Sequence, residues 1–180
     1  MGAGFLPVSL KDGKLYFLFG EERQRPGETA RGWADFGGGP EKNETNIETA
    51  SREGSEELTG LLGNYNKIKK MIKKKNFQIK VKDIKYTSFL VPIEYSDDIV
   101  NHFNNQTVFF KKYITSKVLN KSVIYEKSKV KWYSLSDMKN DRNKFREFFR
   151  NIIDEILLKE SEIMKLFTSP NKKTRKNRND

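Results

Sequence analysis

The sequence predicts one α/β domain of the α+β type, in which strands and helices are mixed and a long helix follows the last strand. Three observations support this fold class. Apolar and polar residues alternate in several short stretches, as they do in strands. Other stretches repeat apolar residues at helical spacing. The chain has 180 residues, of which 36% are hydrophobic and 12% aromatic, enough to bury one core.

The first element is a predicted β-hairpin. The apolar stretches FLPVSL and KLYFLFG flank Lys11-Asp12-Gly13, and Asp-Gly is a strong hairpin turn. The polar stretch EERQRPGETARG predicts a loop, and GWADF predicts a short strand that leads into the glycines at 37–39. Residues 45–58 contain no proline and one glycine, which favours a helix capped by Thr45 or Asn46, with Glu48 near its first turn.

The next elements alternate between helix and strand. A second amphipathic helix, or an extension of the first, is indicated by Leu61, Leu62, Tyr65, Ile68 and Ile72. FQIKVKDIKYTSFLVPIEY predicts one or two strands, and KVKWYSL predicts another. Between them, DDIVNHFNN and TVFFKKYITSKVL are interpreted as short surface helices.

The last predicted element is one long amphipathic helix over FREFFRNIIDEILLKESEIMKLF. One face of it would carry Phe145, Phe149, Ile152, Ile156 and Ile163. The stretch SPNKKTRKNRND is highly charged and starts next to a proline, which is typical of disorder. We therefore expect a domain over residues 1–168 and a disordered basic tail over residues 169–180.

Composition excludes several kinds of site. The chain has no cysteine, so disulfides, zinc–thiolate sites, iron–sulfur clusters and cysteine nucleophiles are excluded. His102 is the single histidine and no G-x-S-x-G stands near it, so a serine-type triad is not supported. A metal site would need oxygen ligands. No stretch approaches the roughly 18 apolar residues of a membrane span, so we expect a cytoplasmic protein without a membrane partner; KKTRK leaves nuclear entry open.

The net charge of +11 has two open interpretations. A lysine-rich proteome, as AT-rich coding produces in some microbes and large DNA viruses, would explain it. An anionic partner would explain it equally well, because a positive surface concentrates polyphosphates or nucleic acid.

Negative charge gathers in one helix despite this basic background. Glu53, Glu56 and Glu57 stand at i, i+3 and i+4, so a helix places them on one face, where they repel each other. Mg²⁺ or Mn²⁺ would relieve that repulsion, because hard divalent cations prefer oxygen ligands. A solvated acidic face is the alternative.

The surrounding spacing favours the metal. Gly38 is followed after five residues by Glu44, and after seven more by Arg52-Glu53 and then Glu56-Glu57. This pattern resembles the box of the Nudix hydrolases, G-x5-E-x7-R-E-U-x-E-E-x-G-U, where U is aliphatic. The lead-in resembles the family too, through Trp33, the Gly37-Gly38 pair and Glu41. The resemblance implies an α/β/α sandwich with a mixed central sheet, and hydrolysis of a nucleoside diphosphate linked to another group.

Three departures from the box are visible. Gly54 takes an aliphatic position, at a helix cost of roughly 1 kcal/mol relative to Ala. Thr59 takes the late glycine position and Gly60 the next one, which predicts a helix that ends one residue later. Asp35-Phe36 replace Leu-Pro in the lead-in.

The resemblance also implies roles. Glu56 and Glu57 would bind Mg²⁺ or Mn²⁺, completed by Glu53 and the Gly38 carbonyl. Arg52 would orient Glu53, and Glu44 would brace the junction of loop and helix. YEKSKVKWYSLSDM resembles a late segment whose glutamate can be catalytic, so the candidate bases are Glu53, Glu126 and, third, Glu94. A surface glutamate beside Lys127 and Lys129 is the alternative for Glu126.

Candidate substrate contacts are basic or aromatic. Loop arginines can hold phosphates, and Trp33 can stack on a base; the alternatives are solvated arginines, and core packing for Trp33 and Trp132. Between Lys67 and Lys85 there are nine lysines and one acid. The predicted substrate-binding residues are Arg23, Arg25, Arg31, Trp33, Lys73 and Lys74.

We prefer a 5′ cap on RNA as substrate, as in viral Nudix enzymes that decap mRNA and release m7GDP, because the lysine-rich segment is wider than a small nucleotide needs. Small substrates are the alternative: dinucleoside polyphosphates, nucleotide sugars, oxidised nucleotides or diphosphoinositol polyphosphates. A third interpretation is an RNA-binding module without catalysis, against which the three glutamates argue. The oligomeric state stays open.

Overall fold

A mixed sheet lies between two layers of helices. The computed structural model describes residues 1–24, 31–119 and 125–168. The predicted α/β/α sandwich with a mixed central sheet is confirmed. The predicted tail at 169–180 lies outside the described residues, and so does Arg25. Across those described ranges, no helix is both long and apolar enough to cross a membrane.

Seven strands form the sheet in the order β3-β2-β1-β6-β5, with β4 also paired to β1 and β7 to β2. β1 and β6 run parallel, and the remaining pairs are antiparallel. Ala3 to Ser9 of β1 are buried without a break, because helices cover both faces of the central strands. The strands are β1 Gly2–Lys11, β2 Lys14–Glu22, β3 Trp33–Ala34, β4 Phe36–Gly38, β5 Phe77–Val81, β6 Tyr86–Pro92 and β7 Lys127–Ser134.

Two apolar cores lie on opposite faces of the sheet. Helices α1, α2 and α3 pack on one face over Phe5, and α6 and α7 pack on the other over Phe17. The helices are α1 Asn46–Glu57, α2 Tyr65–Lys74, α3 Asp97–Tyr113, α4 Ser116–Leu119, α5 Leu135–Asn140, α6 Arg150–Leu158 and α7 Glu160–Thr168. Short 3₁₀ turns at Arg142–Lys144 and Glu147–Phe149 precede α6.

The predicted hairpin of β1 and β2 is confirmed, and its turn explains the register. Asp12 and Gly13 both have positive φ, 50° and 72°, so Lys11 pairs with Lys14 across a tight turn. Beyond Val8 and Phe17 the two strands separate. β4 then pairs with the first half of β1, and β7 pairs with β2. This separation opens the sheet where β4 leads into the loop before α1.

The predicted division of residues 97–119 into two short helices of similar length was wrong. The structure has one helix of 17 residues, α3, followed by the short α4. The Asn104 side-chain amide, in the middle of this helix, contacts β7. It donates to the Val130 carbonyl (3.2 Å) and accepts from the Val130 amide (2.9 Å), so the helix continues through it.

The predicted C-terminal helix is present but starts later and is divided. Phe145 is extended, forms a bridge with Trp33 and so precedes the helix. The Lys159 amide shares its hydrogen bond between the carbonyls of Glu155 and Ile156, which marks the division between α6 and α7. The five apolar residues predicted to face the core are all buried: Phe145, Phe149, Ile152, Ile156 and Ile163.

Candidate metal centre and substrate cleft

The start of α1 is fixed by its own sequence. Thr45 is the N-cap, and Glu48 completes a capping box, since its carboxylate accepts from the Thr45 amide at 3.0 Å. α2 begins independently at Asn64, whose side chain accepts from the Lys67 amide at 3.1 Å, so Leu61 and Leu62 lie in the preceding turn. α1 ends at Glu57, and both Thr59 and Gly60 then take positive φ.

Arg52 joins the loop before α1 to the helix itself. Its Nε and Nη2 contact the two Glu44 carboxylate oxygens at 2.9 and 3.1 Å. Its Nη1 donates to Glu53 (2.9 Å) and Glu56 (3.2 Å), and Nη2 also donates to the Gly39 carbonyl at 2.9 Å. Such a planar fork can hold several carboxylates in fixed positions. Glu44 also accepts from the Glu41 amide (2.9 Å), so loop and helix form one unit.

Three carboxylates converge beside this unit. One oxygen from each of Glu53, Glu57 and Glu126 lies within 4.8 Å of the others; we call these three residues the carboxylate cluster. Burial raises the pKa of Glu53, an effect that Arg52 opposes and that Glu56 and Glu126 reinforce. Burial likewise raises the pKa of Glu57 well above its usual range. Concentrated, desolvated negative charge of this kind is suited to a cation.

One atom of the cluster lacks a partner. Oε2 of Glu57 is buried and makes no hydrogen bond, and such an orphaned oxygen is unfavourable unless something else binds it. Mg²⁺ and Mn²⁺ take oxygen ligands, so the residues present fit such an ion. In the ranges that the structure describes, this is the one group of three acidic or histidine side chains with suitable spacing.

A buried lysine lies next to the cluster, and no sequence pattern predicted it. Lys127 is 0% exposed; its ammonium is 3.1 Å from Oε1 of Glu57 and also contacts Glu22. Burial lowers the pKa of Lys127, but attraction to Glu57 and Glu22 outweighs this and raises it overall, so the ammonium stays charged. Gly20 makes room, since a Cβ there would lie 2.9 Å from Cγ of Lys127.

The burial of Asp35 was likewise not predicted from the sequence. Asp35 is 1% exposed and accepts hydrogen bonds from Tyr86 (2.8 Å) and Ser88 (2.6 Å). Burial raises its pKa to about 6, although both hydrogen bonds oppose the shift. It occupies the position where the lead-in of the Nudix pattern has Leu. That departure was the one available signal for a polar group inside the sheet.

The glycines before α1 permit a close approach of side chains. A Cβ at Gly38 would collide with the Glu53 carboxylate, and one at Gly37 would collide with the Tyr86 hydroxyl. Gly54 serves the same purpose within α1. A Cβ there would lie 2.9 Å from Cβ of Phe5, so the phenylalanine of β1 fills the space that an aliphatic residue at 54 would take.

The predicted site residues fall into two groups. The structure brings together seven of them at the end of β4, in the loop before α1, on α1 and before β7: Gly38, Glu44, Arg52, Glu53, Glu56, Glu57 and Glu126. Glu56 stands apart from the cluster, because its carboxylate is paired with Arg52 and its side chain is 38% exposed. Glu94, the third candidate base, is exposed and lies outside the cluster.

The predicted substrate contacts are dispersed. Arg23 lines a cleft of about 390 Å³ with Glu22, Lys111 and Tyr125. Arg31 is exposed at a different cavity, beside Arg146 and Arg150. The remaining predicted residues do not line the 390 Å³ cleft: Lys73 and Lys74 are exposed at the end of α2, and Trp33 is 5% exposed and packs on Tyr133.

The burial of Trp33 therefore favours its alternative role in the core over stacking on a base.

Comparison with known proteins identifies the fold. No family model matches the sequence. A 62-residue stretch is 45% identical to part of an uncharacterised protein of Acanthamoeba polyphaga mimivirus; it covers 33% of this chain and only 20% of that relative's length.

Among solved structures, a Caenorhabditis elegans Ap4A hydrolase in a binary complex superposes with a TM-score of 0.53 at 17% identity, over 91% of this chain and 98% of that one. A bifunctional NMN adenylyltransferase/ADP ribose pyrophosphatase from Francisella tularensis, complexed with AMP and a Mn ion, gives a TM-score of 0.50 at 20% identity, over 88% of this chain and 41% of that one. The chain thus has a Nudix-like fold.

Proposed function

We propose that this protein is a Nudix pyrophosphohydrolase, which uses a divalent metal to cleave a pyrophosphate bond in a substrate built on a nucleoside diphosphate. The observation that carries the proposal is the carboxylate cluster, in which Oε2 of Glu57 is buried without a hydrogen-bond partner. A binding module for anions has no use for such a group, because three carboxylates repel phosphate. The Nudix-like fold and the box spacing support the same assignment.

The chain's own residues prepare this site. Glu53 and Glu57 would hold Mg²⁺ or Mn²⁺, with the Gly38 carbonyl and Glu56 as further oxygen donors at its edge. The bound ion would polarise phosphoryl oxygens and lower the pKa of the attacking water. Arg52 keeps Glu53 and Glu56 in place, and Glu44 braces Arg52 from the loop.

The general base is the second role to assign. A base must lie within reach of the water it deprotonates. Glu126 is half-buried and meets Glu53 and Glu57 within the cluster, yet lies on a different element from α1. Glu53 accepts a hydrogen bond from Arg52, and the guanidinium stabilises the ionised form of the Glu53 carboxylate. We assign the base to Glu126, with Glu53 second.

The preferred substrate is the 5′ cap of RNA. A net charge of +11 and the exposed lysines of α2, among them Lys73 and Lys74, support a long polyanion. The stretch shared with a mimivirus protein supports the viral interpretation of the composition. In that setting the enzyme would act on mRNA and release m7GDP.

A small nucleotide is the second candidate, and the cleft supports it. Its volume of about 390 Å³ is within the usual range for a small ligand. Arg23 and Lys111 place two cations at the cleft, which adjoins the cluster through Tyr125 and Glu126. This arrangement would suit a dinucleoside polyphosphate or nucleotide sugar.

The test uses RNA labelled in its cap, with Mg²⁺ or Mn²⁺, and measures released m7GDP. Glu57→Gln should reduce the rate by about 100-fold or more, since even outer partners of metal ligands are worth 10–100-fold. Glu160→Gln changes an exposed acid at the start of α7 and should leave the rate unchanged.

The outcomes separate the alternatives. Release that is lost in Glu57→Gln supports decapping by the cluster. Hydrolysis of free nucleotides without cap release supports the pyrophosphate hydrolysis and excludes capped RNA as the substrate. Inactivity on capped RNA and on a panel of small pyrophosphates would overturn the enzyme assignment in favour of a binding module.

A further inference from the structure

Two aromatic rings are exposed side by side on α3. Phe109 is 55% exposed and Tyr113 is 62% exposed, and their centroids are 4.7 Å apart. No other Phe, Tyr or Trp side chain in the three described ranges is exposed. The aliphatic residues Val108 and Val118 nearby are 62% and 53% exposed. An exposed apolar patch of this kind is unfavourable in an isolated protein and usually marks a contact surface.

The charge around the rings identifies the kind of partner. Residues 108–118 contain three lysines, Lys111, Lys112 and Lys117, and no acidic residue. The ammonium of Lys112 is 5.0 Å from the Tyr113 ring centroid. Aromatic rings flanked by lysines are how proteins hold single-stranded nucleic acid, because bases stack on the rings and the cations neutralise phosphates. A second copy of this chain fits poorly, since each copy carries +11.

The position of the rings relates them to the carboxylate cluster. Gln106, Phe109 and Tyr113 stand at i, i+3 and i+7, which is one stripe of the helix. Gln106 at the start of this stripe lies 2.7 Å from the Thr59 hydroxyl, two residues after Glu57. The neighbouring Phe110 packs on Tyr125, the residue before Glu126. The stripe therefore starts at a contact two residues from Glu57, runs beside the residue that packs on Tyr125, and extends about 10 Å along the helix.

We propose that the exposed stripe of α3 around Phe109 and Tyr113 is a stacking platform for single-stranded RNA, which would hold the nucleotides that follow a 5′ end placed at the carboxylate cluster. The inference deepens the proposed function and rests on its RNA interpretation. Two successive bases would stack on the two rings, while Lys112 and Lys117 contact the intervening phosphates.

The test measures binding apart from chemistry. A fluorescent 12-nucleotide RNA with a 5′ hydroxyl carries no pyrophosphate, so anisotropy without metal reports affinity alone. Phe109→Ala/Tyr113→Ala should weaken binding by about 10-fold or more, given the usual loss per stacked base. Leu158→Ala removes an even more exposed apolar side chain (79%) from α6 and should leave binding unchanged.

Two further variants separate stacking from other effects. Phe109→Tyr and Tyr113→Phe keep the rings and should keep the affinity. Lys112→Gln should lower the slope of log affinity against log salt by about 0.7, as for one lost phosphate contact on a single strand; Lys139→Gln, an exposed lysine on α5, should not.

Each result has a defined meaning. Unchanged RNA affinity in the double alanine variant overturns the platform, whether or not the enzyme hydrolyses nucleotides. If ultracentrifugation shows a wild-type dimer that the double variant loses while RNA affinity is unchanged, the stripe is a self-association surface and the proposal is overturned. If the platform is correct, the double variant raises KM for capped RNA and leaves hydrolysis of free nucleotides unchanged.

Discussion

Replacing Lys127 by methionine tests whether the buried ammonium balances the charge of the site. The lysine is 0% exposed and its ammonium lies between Glu57 and Glu22. Methionine has a similar length and fills the same volume, so the change removes mainly the charge. Glu57 would then lose this cation, whereas Glu22 would keep its ion pair with Arg146 (2.8 Å).

The expected loss follows from the geometry. At 3.1 Å and an effective dielectric constant near 20, the attraction between Lys127 and Glu57 alone is about 5 kcal/mol before any desolvation is counted. Removal of one partner of a buried pair typically costs 3–5 kcal/mol. Because burial already raises the pKa of Glu57, the glutamate can take a proton and limit the loss. We therefore expect the free energy of unfolding to fall by about 3 kcal/mol at neutral pH, and by less in acid.

Urea denaturation with and without Mg²⁺ measures the free energy of unfolding of Lys127→Met and of the wild type. Lys129→Met is the matched control, because Lys129 is on the same strand but exposed, and its pair with Glu21 should be worth less than about 1 kcal/mol. Mg²⁺ should stabilise Lys127→Met more than the wild type, since both Glu57 oxygens are then open to the ion. The double variant Lys127→Met/Glu57→Gln should recover part of the loss.

A loss below about 1 kcal/mol, or a double variant no more stable than Lys127→Met, would refute this view of the site.

Three further changes probe the same region. Arg52→Lys keeps the charge but loses the fork that holds Glu44, so Mn²⁺ affinity measured by EPR should fall by about 10–100-fold. Asp35→Asn should remove a pH dependence of stability. With the folded pKa at about 6 against an ordinary value of 3.8, the wild-type free energy of unfolding falls by about 2 kcal/mol as pH rises from 4 to 7, which urea titrations at each pH will show. Gly54→Ala should lower the free energy of unfolding by about 1–3 kcal/mol despite the better helix propensity of alanine, because the alanine Cβ would collide with Phe5.

Each of these has a clear contrary result. Unchanged Mn²⁺ affinity in Arg52→Lys would show that the fork does not position the ligands. Parallel stability curves for Asp35→Asn and the wild type between pH 4 and 7 would show that Asp35 ionises normally. A stabilised Gly54→Ala would show that α1 can move away from β1 at little cost.

Local signals in the sequence predicted the elements that depend on local physics. The Asp12-Gly13 turn, the Thr45 cap and the i, i+3, i+4 spacing of Glu53, Glu56 and Glu57 need only neighbouring residues, and the structure has all of them where expected. The fold class followed from the order of these elements.

Long-range contacts explain what the sequence could not predict. Lys127 belongs to a lysine-rich stretch and resembled a surface residue, but Gly20 on the facing strand makes room for it. Its partners Glu22 and Glu57 are distant in sequence. Asp35 was visible only as a departure from the box, since its partners Tyr86 and Ser88 lie about 50 residues later. Helix α3 continues through Asn104 because of a strand 26 residues away.

The bond between Asn104 and Val130 has a consequence for association between copies. β7 pairs with β2 on one side, and the Asn104 amide satisfies the Val130 backbone on the other. A free strand border invites another chain to extend the sheet, which is a common route to aggregation. The side-chain amide occupies the place that a neighbouring strand would take. Helix α3 therefore blocks extension of the sheet at β7, the strand that carries the buried Lys127.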